Sequence, residues 1–186
     1  YTLSLHDALP IYGSSKTAMR PAPLERKRPK LLPDASGFSA RERGAIYKAL
    51  TIIEGRIRDE GFQFSSPLAV MAWLNIQLST LRRETFVGLF LDSQNRFIGM
   101  EILASGSIDE ARVYPRVVVE YALTHNAAAV IFAHNHPSGL LEPSTADIAL
   151  TKRLKFALDQ LDIRVLDHFI VGGKGAPFSF SERGMI

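Results

Sequence analysis

The stretch from Ala127 to Asp147, AAAVIFAHNHPSGLLEPSTAD, constrains the chain more than any other. It begins with an unbroken apolar run, Ala127 to Ala133, which reads as a buried strand. His134 and His136 follow with Asn135 between them, and Pro137, Ser138 and Gly139 then favour a turn. Alternate residues of an extended chain point to the same side, so both imidazoles can leave the strand end together. Ser144 and Asp147 come next, where a helical pattern starts. The spacing is His-x-His-x7-Ser-x2-Asp. Two neutral imidazoles and a carboxylate suit a tetrahedral zinc ion, with the fourth position left to water, as in catalytic rather than structural sites. His134, His136 and Asp147 are therefore the expected ligands.

Each piece also has a plainer explanation. Ser144 and Asp147 stand at capping-box spacing, with Asp in place of Glu or Gln. A lone His at a strand end is more often a hydrogen-bonded residue than a ligand. The four together should arise by chance in roughly one chain of this length in several thousand, and that rarity favours the metal site.

The pattern resembles the JAMM signature of JAB/MPN metallopeptidases, and the longer string HNHPSG, EPSTAD and VLDHFIVGG is similar to their RadC branch. The likeness runs from about Phe64 to Ile186. It implies a single α/β domain, a JAB/MPN-like mixed β-sheet flanked by helices. It also implies zinc on His134, His136 and Asp147, a general base at Glu84 and an oxyanion-supporting hydroxyl at Ser144. The residues alone leave Glu101 and Glu120 open as bases and allow Glu84 to pair with Arg82 or Arg83. The family match, a Glu two positions before Phe in the first strand, selects Glu84. Zinc with three protein ligands lowers the pKa of bound water to ~7. A carboxylate outside the ligand set can take that proton and return it to a leaving amine. The implied activity is hydrolysis of a peptide or isopeptide bond in a peptide or protein substrate. A rival is a RadC-type accessory role in DNA repair or recombination without essential protease activity. That rival rests mainly on the family's DNA-repair label, since no convincing helix-hairpin-helix segment is evident here. A scaffold role is a third possibility, opposed by the intact ligand set. Tyr114 stands where many relatives have His. His168 has apolar neighbours, which favours packing over support of the ligands.

A chain of 186 residues can bury the core of one domain. Cysteine is absent, which fits a reducing cytoplasmic location and excludes the Cys-containing zinc-deaminase pattern. No apolar run approaches the ~18 residues that would suggest a membrane span, and no secretory signal is recognisable. The net charge of +3 is concentrated. Residues 16–30 hold six Lys/Arg and one acid, against 16 Lys/Arg and 17 Asp/Glu in residues 31–186. DNA contact is thus expected, if anywhere, in that segment.

Residues 1–11, YTLSLHDALPI, lack an initiating Met and back-translate into a widely used sequencing-adapter oligonucleotide. They are expected to be an assembly artefact, so His6 and Asp7 carry no weight. Residues 12–40 read as a basic, Pro-rich flexible linker, 41–63 as an N-terminal helix, and 64–186 as the JAB/MPN-like domain. Within that domain Ser66-Pro67 opens a helix containing Trp73, a core residue. Glu84 to Asp92 and Arg96 to Ala104 form a hairpin. Pro115 opens a helix with Val118, Val119 and Leu123 inward. Strands follow at Arg164 to Val171 and Phe178 to Phe180, around a Gly172–Gly175 turn that lacks the phosphate-loop pattern.

Overall fold

The computed structural model describes residues 37–59, 67–106, 113–173 and 175–186. The expected artefact and most of the expected linker lie outside the described residues, as do Ser66, Lys174 and much of the loop after the hairpin. The elements run α1 (Ala40–Asp59), α2 (Pro67–Leu78), β1 (Glu84–Leu91), β2 (Phe97–Gly106), α3 (Pro115–Thr124), β3 (Ala129–Asn135), α4 (Thr145–Asp159), β4 (Arg164–Val171) and β5 (Phe178–Ser179). Among the described residues, five strands form one sheet in the order β2-β1-β3-β4-β5. Only β3 and β4 are parallel, and α4 provides their crossover. The expected mixed sheet with flanking helices is what the chain forms.

Strand alternation divides the interior into two layers. Val87, Leu89 and Leu91 of β1, with Ala129, Ile131 and Ala133 of β3, face Val70, Trp73, Leu74 and Leu78 of α2. Phe86 and Phe90, with Val130 and Phe132, face the other way, towards Val118 and Ala122 of α3 and Leu154 and Leu158 of α4. The apolar run before His134 is continuous because both sides of β3 are covered. Trp73 is buried as expected, with its ring edge-on to Phe97 at 6.0 Å. Leu123 is a correction: it is 59% exposed, while Ala122 fills the inner position of α3. Counting from Pro115, the helix turns its small residue to the sheet and its leucine to solvent.

One irregularity positions a functional candidate. Val130 pairs with Val165, but Ile131 pairs with Asp167, so β4 carries one extra residue at Leu166. The bulge shifts the alternation of β4 by one and brings His168 opposite Phe132, on the α4 side of the sheet. No helix among the described residues is long and apolar enough to cross a membrane.

Candidate metal centre

Parity places the candidate ligands. His134 is two residues beyond Phe132 and turns to the α4 side, while Asn135 turns to the α2 side. Asn135 there ties β3 to the entry of β1: its Oδ1 accepts from Thr85 N at 2.9 Å, and its Nδ2 donates to the carbonyls of Leu81 and Arg83, both at 3.1 Å. His136 donates its backbone N–H to Val171 O at 2.8 Å, and its Nδ1 lies 2.9 Å from Leu140 O. A carbonyl only accepts, so His136 Nδ1 holds a proton and Nε2 is the atom left for a ligand. Gly172 lies behind this loop, where a Cβ would stand 3.0 Å from Gly139 O and 3.1 Å from Leu140 O.

Asp147 arrives on α4. Ser144 caps the helix, and the capping box is complete. The Asp147 N–H donates to Ser144 Oγ at 3.1 Å, and Asp147 Oδ2 accepts from Ser144 N at 2.7 Å and from Ser144 Oγ at 2.6 Å. This locks the carboxylate with Oδ1 3.4 Å from His134 Nε2 and Oδ2 3.7 Å from His136 Nε2, the latter an ion-pair rather than a hydrogen-bond separation. The helix cap is therefore formed, and the same geometry leaves Asp147 Oδ1 directed towards His134, compatible with a role as a ligand.

His134, His136 and Asp147 offer ligand atoms that all lie within 4.8 Å of one another, and the group could hold a metal ion. The two Nε2 atoms are 2.9 Å apart. Two imidazole lone pairs and a carboxylate converging so closely need positive charge between them, from a proton or a cation. The Asp147 carboxylate and the Leu140 carbonyl hold the His136 imidazole above its usual pKa, against the effect of partial burial. Burial pushes His134, with no exposed surface, down to about 4. Burial also pushes Asp147 up, but His136, His134 and Ser144 outweigh it and hold the carboxyl well below the usual range. The group thus holds a carboxylate, a neutral His134 imidazole and a proton that His136 keeps more firmly than usual. Replacing that proton leaves two nitrogen lone pairs and a carboxylate oxygen, which fits a borderline cation.

Glu84 stands beside this group, outside it. The β1–β3 register pairs Phe86 with His134 and, continued by two residues, sets Glu84 across from His136. Burial raises its carboxyl pKa, the His136 charge lowers it and the Asp147 charge raises it, with a net upward shift. Glu101 is engaged elsewhere, 2.9 Å from His125 Nε2, and Glu120 lies exposed on α3. Of the three carboxylates the sequence leaves open, Glu84 is the one whose charge environment includes the ligand group. Ser144 directs its hydroxyl into Asp147. Tyr114 precedes α3 without a side-chain cap and is 53% exposed.

His168 is the residue that the sequence reading undervalued. It is packed, as expected, yet its Nε2 also lies 2.8 Å from His134 Nδ1. Apolar neighbours concealed this, because the β4 bulge that turns it towards His134 leaves no mark in the alternation pattern.

A family model described as RadC-like JAB domain matches residues 64–185. The chain is 59% identical over 126 residues to a UPF0758 protein of Cellvibrio japonicus, covering 68% of this chain and 56% of that one. It is 53% identical over 123 residues to a UPF0758 protein of Dechloromonas aromatica, covering 66% and 54%. The UPF0758 protein YfjY of Escherichia coli is 44% identical over 156 residues, 84% of this chain and 97% of YfjY. The chain thus spans about half the length of the first two relatives and nearly all of the third.

Proposed function

Because the chain belongs to the RadC-like JAB domain family, we propose that it is a JAMM-type zinc hydrolase that cleaves a peptide or isopeptide bond. The observation that carries this reading is the group of His134, His136 and Asp147 with the partly buried Glu84 beside it. Zinc held by these residues would supply Lewis acidity and lower the pKa of water to ~7. The Glu84 carboxylate takes a proton from the attacking water and delivers it to the leaving amine nitrogen. Its raised pKa brings it closer to neutral pH, where a group that must both accept and donate works best. Ser144 serves first to orient Asp147; its hydroxyl can reach an oxyanion only after leaving that carboxylate. The substrate class is a peptide or protein, and the cysteine-free composition suits the cytoplasm.

The test pairs elemental analysis of the purified chain with a screen of peptide and isopeptide substrates. The parent should hold close to one zinc per chain and cleave a member of the panel. Glu84→Gln should keep the zinc and lose turnover by ~10²–10⁴, the usual contribution of general acid–base catalysis. A parent that holds no zinc, or a Glu84→Gln variant that cleaves as fast as the parent, would overturn the reading.

A further inference from the structure

We propose that Thr151 and His168 are positioning residues, forming a buried proton-ordered relay that sets the tautomer of His134. The relay deepens the metal-site reading, but its central claim concerns the protein's own protons.

The chain of contacts starts at a backbone carbonyl. Thr151 Oγ1 lies 2.6 Å from Asp147 O and 2.6 Å from His168 Nδ1. His168 Nε2 in turn lies 2.8 Å from His134 Nδ1. A carbonyl accepts only, and a hydroxyl has one proton to give. Thr151 donates it to Asp147 O, which leaves Oγ1 to accept from His168 Nδ1–H. His168 has no exposed surface and stacks against Phe180 at 4.7 Å, with Phe86 at 5.2 Å. In such surroundings it carries one proton rather than a charge, so its Nε2 accepts. His134 must then donate from Nδ1, and its Nε2 is left with a bare lone pair. That atom is the one 2.9 Å from His136 Nε2 and 3.4 Å from Asp147 Oδ1. Reversing the first link, with the hydroxyl donating to His168, would reverse every proton and put an N–H at the ligand position. The contact with Asp147 O selects the direction.

The same relay aligns the ligands in space. Thr151 sits one turn after Asp147 on α4, His168 on β4 and His134 on β3. One line of hydrogen bonds therefore registers the helix that carries the carboxylate against the strand that carries the imidazole. Partners of this kind are commonly worth 10–100-fold in metal affinity.

The test uses the whole chain labelled with ¹⁵N-histidine and free of metal. Long-range proton–nitrogen spectra at neutral pH show which imidazole nitrogen carries the proton. The parent should show His134 protonated on Nδ1; protonation on Nε2 would overturn the relay without any variant being needed. Thr151→Val keeps the shape and removes the hydroxyl. An orphaned buried N–H is less tolerated than an idle acceptor, so His168 and His134 should both move their protons to Nε2. Zinc affinity, measured against a chromophoric chelator, should fall 10–100-fold, and Thr151→Ser should restore tautomer and affinity together. A Thr151→Val variant with His134 still protonated on Nδ1 would overturn the proposal. A parent with the expected tautomer that takes up no zinc would support the relay and sink the zinc-hydrolase reading, so the two are tested apart.

Discussion

At Asp147 a helix cap and a candidate metal site share one carboxylate: Oδ2 accepts from Ser144, while Oδ1 turns towards His134. Removing Ser144 should therefore have two effects. Ser144→Ala is expected to cost about 1 kcal/mol of stability, the usual value of an N-cap, and to weaken zinc binding because the carboxylate loses its anchor. Denaturant unfolding of the metal-free chain and a zinc competition assay would measure them. If turnover falls while stability and zinc affinity stay unchanged, the serine acts on the substrate and its contact with Asp147 is incidental. Zinc must also displace the proton that His136 holds more firmly than usual. Affinity should accordingly fall as pH drops through the raised His136 pKa. A flat affinity between pH 8 and pH 6 would contradict that.

The elements show how far the sequence could be read. Helix α4, the central strand and its two histidines were legible because each is a local pattern: a cap signal, an apolar run, a period of two. His168 escaped because its direction depends on the bulge at Leu166, and a bulge changes parity without changing composition. The inward face of α3 was misread for a related reason, since Ala122 lies in the close helix–sheet contact and Leu123 does not. Ser144 and Asp147 were legible as residues, but the hydroxyl's commitment to the carboxylate depends on side-chain orientation, which no sequence pattern records. At the other end of the sheet, Gly99 approaches His125 so closely that a Cβ would stand 2.6 Å from Cε1. Gly99→Ala should destabilise the chain by ~1–3 kcal/mol, the typical cost of overpacking, while leaving zinc content unchanged. Thermal unfolding and elemental analysis together would show whether the two ends are energetically separate; zinc lost by the folded variant would mean they are not.

Across the whole molecule, burying imidazoles ties stability to pH. The folded chain holds His134 near 4, and burial holds His168 well below its ordinary value. Unfolded, both titrate near 6.5. Between pH 6 and pH 5 the unfolded metal-free chain therefore binds nearly two more protons at these sites. His136, raised when folded, offsets this only slightly because it is largely protonated in both states there. Glu84 and Asp167, whose carboxyl pKa values burial raises, bind protons more readily in the folded chain and offset part of this. Stability should therefore fall by up to about 2 kcal/mol over that pH unit, measurable by urea unfolding at both values. A pH-independent midpoint would exclude buried neutral imidazoles. Charge distribution makes a separate prediction: any nucleic-acid affinity should reside in residues 16–30, fall with salt and vanish when residues 1–36 are deleted. Tight, sequence-selective binding by the shortened chain would instead favour the accessory role.

His134, His136 and Asp147 come from fourteen consecutive residues, whereas Glu84 must be brought in from fifty residues upstream by the pairing of β1 with β3. Loop closure makes the first assembly kinetically cheap and the second slow. Newly made chains would thus gain the capacity to capture an ion before they gain a base. On the reading proposed above, a chain in that interval would hold its ion without its base, and hydrolysis would await the moment Asn135 locks onto Thr85.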